Sequence, residues 1–118
     1  MIKLNEKTDK ELFLAIMNFF VHNDINFMIS RDLIYTTNVS NNIKISFGLI
    51  DEVVDSPCIA MSIEDTEEET SFYELDLRDS AVSILESIVN LIVNKVNRLR
   101  DNTLLSSDWK ILLYKMIG

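Results

Sequence analysis

Between positions 43 and 49 the side chains alternate without a break. Ile43, Ile45, Phe47 and Leu49 lie on one side, and Lys44, Ser46 and Gly48 on the other. A period of two is the pleat of a β-strand with one buried face and one face toward water. Such a strand needs neighbours for its backbone groups and a second layer over its apolar side. Both are legible nearby. "INFMIS" places Phe27 and Ile29 on one face, and "DLIYTTNV" is β-branched and aromatic. "PCIAMSI" is a further strand, with Pro57 tolerated at its first position. "SFYELDL" alternates Phe72, Glu74 and Asp76 against Tyr73, Leu75 and Leu77. Ser40, Asn41 and Asn42 read as a hairpin turn. The expectation is an antiparallel sheet of four or five strands, mostly a meander.

The covering layer is helical. Thr8 or Asp9 is predicted to cap a first helix, in which Leu12, Phe13, Ile16, Met17, Phe19 and Phe20 recur at helical spacing. It should stop near His22, Asn23 and Asp24. Asp79 or Ser80 caps a long helix reaching about Arg100. There Val82, Leu85, Val89, Ile92, Val96 and Leu99 follow a heptad rhythm. Ala81, Ile84, Ile88 and Leu91 form a second apolar stripe beside it, and Ser83, Ser87, Asn90, Asn94 and Asn97 a narrow polar one. A helix with so wide an apolar face is laid across a sheet or shared with a second copy, so a homodimer through the helix 80–100 is a second expectation. Ser107 is predicted to cap a last helix carrying Trp109, Leu112, Leu113, Met116 and Ile117 on one stripe. Alone it would be marginal, so it must dock.

The fold class expected is α+β. It comprises an N-terminal helix, an antiparallel meander sheet of four or five strands, a long C-terminal helix packed on the sheet and a short terminal helix. At 118 residues this is a single domain, 1–118, with one core. The element order is similar to that of small acidic secretion chaperones, a likeness of architecture alone.

Composition narrows the function classes. The chain is 47% hydrophobic and 25% charged, which is globular. No apolar run approaches the roughly 18 to 20 residues that cross a bilayer, and the first twenty residues do not read as a signal peptide. The expected location is cytoplasmic, that of the host cell if the gene is a phage's. The 11 asparagines and 15 isoleucines are the bias of an AT-rich genome, that of a low-GC bacterium or its phage. A single cysteine, Cys58, allows neither an internal disulfide nor a multi-cysteine zinc site.

With only Gly48 and Gly118 as glycines, no phosphate-binding glycine loop and no nucleophile elbow can be written. His22, the single histidine, has no nucleophile to pair with, and its place at a helix end is explained by capping. Cys58 reads as a small buried hydrophobe. Carboxylate pairs such as Glu64 with Glu74, or Asp76 with Asp79, are unavoidable by chance in so acidic a stretch. "EDTEEE" lacks the order and the glycine of an EF-hand loop. No catalytic residue, metal or cofactor is therefore assigned, and the chain is not expected to be an enzyme.

Net charge is −8, which disfavours direct binding to nucleic acid or anionic membrane. Its distribution is uneven. Residues 51–79 hold eleven acidic side chains and one basic, Arg78, a net −10, while the remaining 89 residues carry +2. Crowded carboxylates repel one another, so something should compensate them. Three candidates are a basic protein partner, bound cations, and the chain's own basic residues Lys95, Arg98, Arg100, Lys110 and Lys115. The preferred expectation is a non-enzymatic acidic binding protein. It is an inhibitor of immunity or phage anti-defence type that imitates nucleic acid and occupies a basic surface of a partner protein. The candidate partner-binding residues are Glu64, Asp65, Glu67, Glu68, Glu69, Phe72, Tyr73, Glu74, Asp76 and Asp79, with Phe72 and Tyr73 as aromatic anchors. The alternative is a small homodimeric chaperone that binds a client segment through the sheet edge and the apolar helix face.

Overall fold

The alternating run forms the middle strand of five. The computed structural model describes residues 4–50, 57–65, 69–99 and 105–117. Its elements are α1 (Leu4–His22), β1 (Met28–Ile29), β2 (Tyr35–Asn38), β3 (Ile43–Ile50), β4 (Cys58–Asp65), β5 (Thr70–Asp76), α2 (Ala81–Arg98) and α3 (Ser107–Ile117). The strands pair antiparallel in the order β1-β2-β3-β4-β5, a plain meander, as the alternation and turn signals predict.

Register fixes the two faces. Tyr35, Phe47, Met61 and Tyr73 align across the sheet, as do Thr37, Ile45, Ile63 and Ser71. These rows face the helices. Ile45, Phe47, Ile59, Met61 and Ile63 are fully buried against Phe13, Ile16, Met17 and Phe20 of α1, Ile84, Ile88 and Ile92 of α2, and Trp109 and Leu112 of α3. Each large apolar side chain buried in this way contributes about 1.5–3 kcal/mol. Aromatic rings knit the layers together: Phe20 lies 6.0 Å from Phe47 and 5.6 Å from Trp109, and Phe27 lies 5.4 Å from Tyr35.

Local chemistry sets the helix ends. Asp24 adopts φ 70°, Ile25 N donates to Phe20 O, and Asp24 N donates to Val21 O. This is a Schellman stop, with Ile25 packing back on Phe20 in the core. Ser80 caps α2, its hydroxyl accepting from Ser83 N.

Four details differ from the sequence reading. Helix α1 begins at Leu4, so Thr8 and Asp9 lie inside it. Ser106, not Ser107, caps α3: its hydroxyl accepts from Trp109 N and its carbonyl from Lys110 N. Strand β1 is only two residues long. Just before it, Asn26 O accepts from the Thr37 hydroxyl of β2 in place of a backbone ladder bond. Finally, α2 turns the seam between its two apolar stripes inward. Ile84 and Ile88 of one stripe and Val89 and Ile92 of the heptad are buried, whereas Val82, the start of the heptad, is 65% exposed. So wide an apolar face leaves a rotational choice that only the sheet beneath decides. The polar stripe faces water as expected.

Candidate functional site

The acidic segment is divided by the pleat. On β4, Asp65 continues the inward series Ile59, Met61, Ile63, so its carboxylate points under α2 and not into water. There it meets Lys95, which continues the inward series Ile84, Ile88, Ile92 along the helix. Lys95 Nζ lies 2.7 Å from Asp65 Oδ2, and both side chains are 4% exposed. Asp65 Oδ1 accepts from Glu69 N, and Asp65 N donates to Glu69 O, so the same residue closes the β4–β5 turn. Tyr73 also faces the helices, half-buried against the core.

The open face of the sheet carries the rest. Its rows are Asn38, Lys44, Glu64 and Thr70; Thr36, Ser46, Ser62 and Phe72; and Gly48, Ala60 and Glu74. The centre is small and polar, and the Thr36 and Ser46 hydroxyls are bonded at 3.0 Å. Phe72 stands above it with 77% of its surface in water. Ile34 stands on the opposite side, 3.7 Å from where a β-carbon on Gly48 would lie. Between them runs a groove of about 370 Å³, floored by Ser46, Gly48, Ala60 and Ser62 and bordered by Ile50, Phe72 and Glu74.

Several surface carboxylates already have a basic neighbour. Glu64 lies 3.5 Å from Lys44, and Glu69 lies 3.8 Å from Arg98, both pairs exposed. Asp76 accepts from the Arg78 backbone N, Nε and Nη2. Those bonds hold its carboxyl well below the ordinary range, at about 2. The chain's own basic residues Lys95 and Arg98 thus answer part of the acidic segment. Lys115 turns elsewhere and donates to Asn23 Oδ1. Glu74 and Asp79 are exposed and have no basic partner among the described residues. Glu67, Glu68 and Arg100 lie outside the described residues.

Of the ten residues expected to bind a partner, the open face brings together Glu64, Phe72, Glu74 and Asp76. Asp79 sits nearby in sequence at the lead-in to α2. Asp65 and Tyr73 belong to the covered face. The sequence reading missed Ile34, Gly48 and Ala60, which shape the groove, because each is unremarkable until the register sets them side by side. The inward placement of Asp65 and Lys95 had a signal: each is in phase with three buried apolar residues of its own element.

Elsewhere the chemistry is sparse. Cys58 is buried, and burial, with the charges of Glu74 and Asp76 adding to it, pushes its thiol above the ordinary range and away from the nucleophilic thiolate. His22 is exposed at the end of α1. Among the described residues no group of three or more histidine, cysteine, aspartate or glutamate side chains is placed to hold a metal ion. No helix among them is long and apolar enough to cross a membrane. The chain matches no family model, no curated protein and no solved structure.

Proposed function

We propose that this chain is a non-enzymatic binding protein of inhibitor type that occupies a basic surface of a partner protein through the open face of its sheet. One observation carries the reading: Phe72, a large aromatic, stands 77% exposed on the open face, with Glu64 and Glu74 as neighbours. An exposed aromatic ringed by carboxylates is the makeup of a protein-binding anchor with charge steering around it. Glu64, Glu74 and Asp76 give this face its negative charge, so a nucleic-acid-binding protein with a basic surface is the partner class that fits.

The test is affinity capture from cells of the native source at low and high salt, with wild type and with Phe72→Ala and Glu74→Lys. The reading expects a partner that is lost at high salt and lost with either substitution. A partner retained by both variants at both salt concentrations contradicts it.

A second reading, a chaperone for a client segment, is favoured by a different observation. Met28, Ile29, Leu33 and Ile34 are all exposed on the β1–β2 hairpin. Capture through this hairpin would survive high salt, because burial of apolar surface is not screened by ions.

A further inference from the structure

The groove on the open face has a chemistry more specific than acidity. Its floor is made of side chains no larger than serine, so an incoming group lies close to the backbone of β3 and β4. Its two sides are apolar, Ile34 from the β2 side and Phe72 from β5. Phe72 and Glu74 are two residues apart on one strand, so they stand side by side on the same face. Glu64 and Asp76, the other carboxylates of this face, are answered by Lys44 and Arg78, whereas Glu74 has no basic partner among the described residues. An aromatic face beside an unanswered carboxylate, next to a narrow apolar trough, is complementary to a planar cation on an aliphatic stem.

We propose that the groove receives an arginine side chain of the partner. Its stem lies over Gly48 and Ala60, and its guanidinium sits between the Phe72 ring and the Glu74 carboxylate. This rests on the open face being the partner-binding surface. Arginine fits better than lysine because a guanidinium stacks on an aromatic ring and pairs with a carboxylate through two parallel hydrogen bonds. A second copy of this chain fits poorly, since a two-fold contact through this face would bring the like-charged carboxylates of the two copies together.

The groove is tested by itself with the full-length ¹⁵N-labelled chain, titrated with N-acetyl-arginine amide, N-acetyl-lysine amide and N-acetyl-norleucine amide. The arginine derivative is expected to bind in the millimolar range and shift the amides of Ser46, Gly48, Ala60 and Phe72. The lysine derivative should bind about threefold more weakly, and the uncharged one more weakly still. Glu74→Gln should weaken arginine binding by about threefold or more. Ala60→Leu, which fills the trough, should abolish it. Because Ala60→Leu can disturb the strand, Gly48→Ala serves as a milder filler: its methyl meets Ile34 at 3.7 Å, an ordinary contact, and should weaken binding with the fold intact.

Unmoved groove amides overturn the proposal, as does equal binding of the norleucine derivative. Groove shifts that follow protein concentration alone overturn it in favour of a second copy. The broader reading is tested separately, by whether partner capture is indifferent to Phe72→Ala and Glu74→Lys.

Discussion

Lys95 and Asp65, thirty positions apart in the sequence, form a buried ion pair with a separation of 2.7 Å. The pair joins the last turns of α2 to the start of the β4–β5 turn, the most acidic point of the chain. Two charges taken out of water depend strongly on each other, so the pair is sensitive to loss of one member and tolerant of loss of both. Lys95→Met leaves the Asp65 carboxylate buried without its cation and should cost about 3–5 kcal/mol in urea unfolding. Lys95→Met combined with Asp65→Leu should recover most of that loss, as a double-mutant cycle would reveal. A single substitution that costs under about 1 kcal/mol would show the pair to be solvated.

Asp76 gives a pH prediction. Hydrogen bonds from Arg78 hold its carboxyl at about 2, below the ordinary 3.8. A carboxylate with a depressed value stabilises the folded state above its unfolded-state value, and that contribution is lost as pH falls from near 4 toward 2. The side-chain carboxyl resonance of Asp76 should titrate near pH 2 in the wild type. In Arg78→Gln it should return toward the ordinary value. An unchanged midpoint in the variant would rule out Arg78 as the cause.

Leu33 occupies the left-handed region at φ 61° in the turn between β1 and β2. Ser30 organises that turn: its carbonyl accepts from Leu33 N and its hydroxyl from Asp32 N and Ile34 N. A leucine there carries the steric cost that asparagine largely avoids. Leu33→Asn should therefore raise the urea midpoint, by about 0.5–1 kcal/mol of stability. A lowered midpoint would mean that packing of the leucine side chain outweighs its backbone strain.

The Ser80 hydroxyl satisfies an otherwise unpaired amide at the start of α2. Ser80→Ala should destabilise by about 1 kcal/mol, and Ser80→Asp should leave stability nearly unchanged. Equal losses in both variants would assign the effect to something other than capping.

Most of the fold was legible because its signals are local. The alternation of Ile43 to Leu49, the Ser40–Asn41–Asn42 turn and the Trp109, Leu112, Leu113 stripe each name their element without help from elsewhere. What escaped depends on contacts between distant segments. The rotation of α2, which buries the seam between its two apolar stripes, is decided by the sheet under it. Lys95 reads as one of five basic residues able to answer the acidic segment, and only the packing of α2 over β4 shows that it does so from inside, against Asp65, although its phase with Ile84, Ile88 and Ile92 already marked it for burial. The groove is the extreme case: Gly48, Ala60 and Phe72 come from three strands and Ile34 from the turn before β2, and they acquire meaning only through register.

The claim that the open face binds a basic partner surface is tested most directly by selecting a random peptide library against the full-length protein, with Phe72→Ala/Glu74→Gln as the parallel target. The account predicts that wild type enriches peptides carrying arginine beside an apolar residue, that their binding falls with salt, and that the variant loses this enrichment. Identical enrichment on both targets, or enrichment without basic residues, would contradict it.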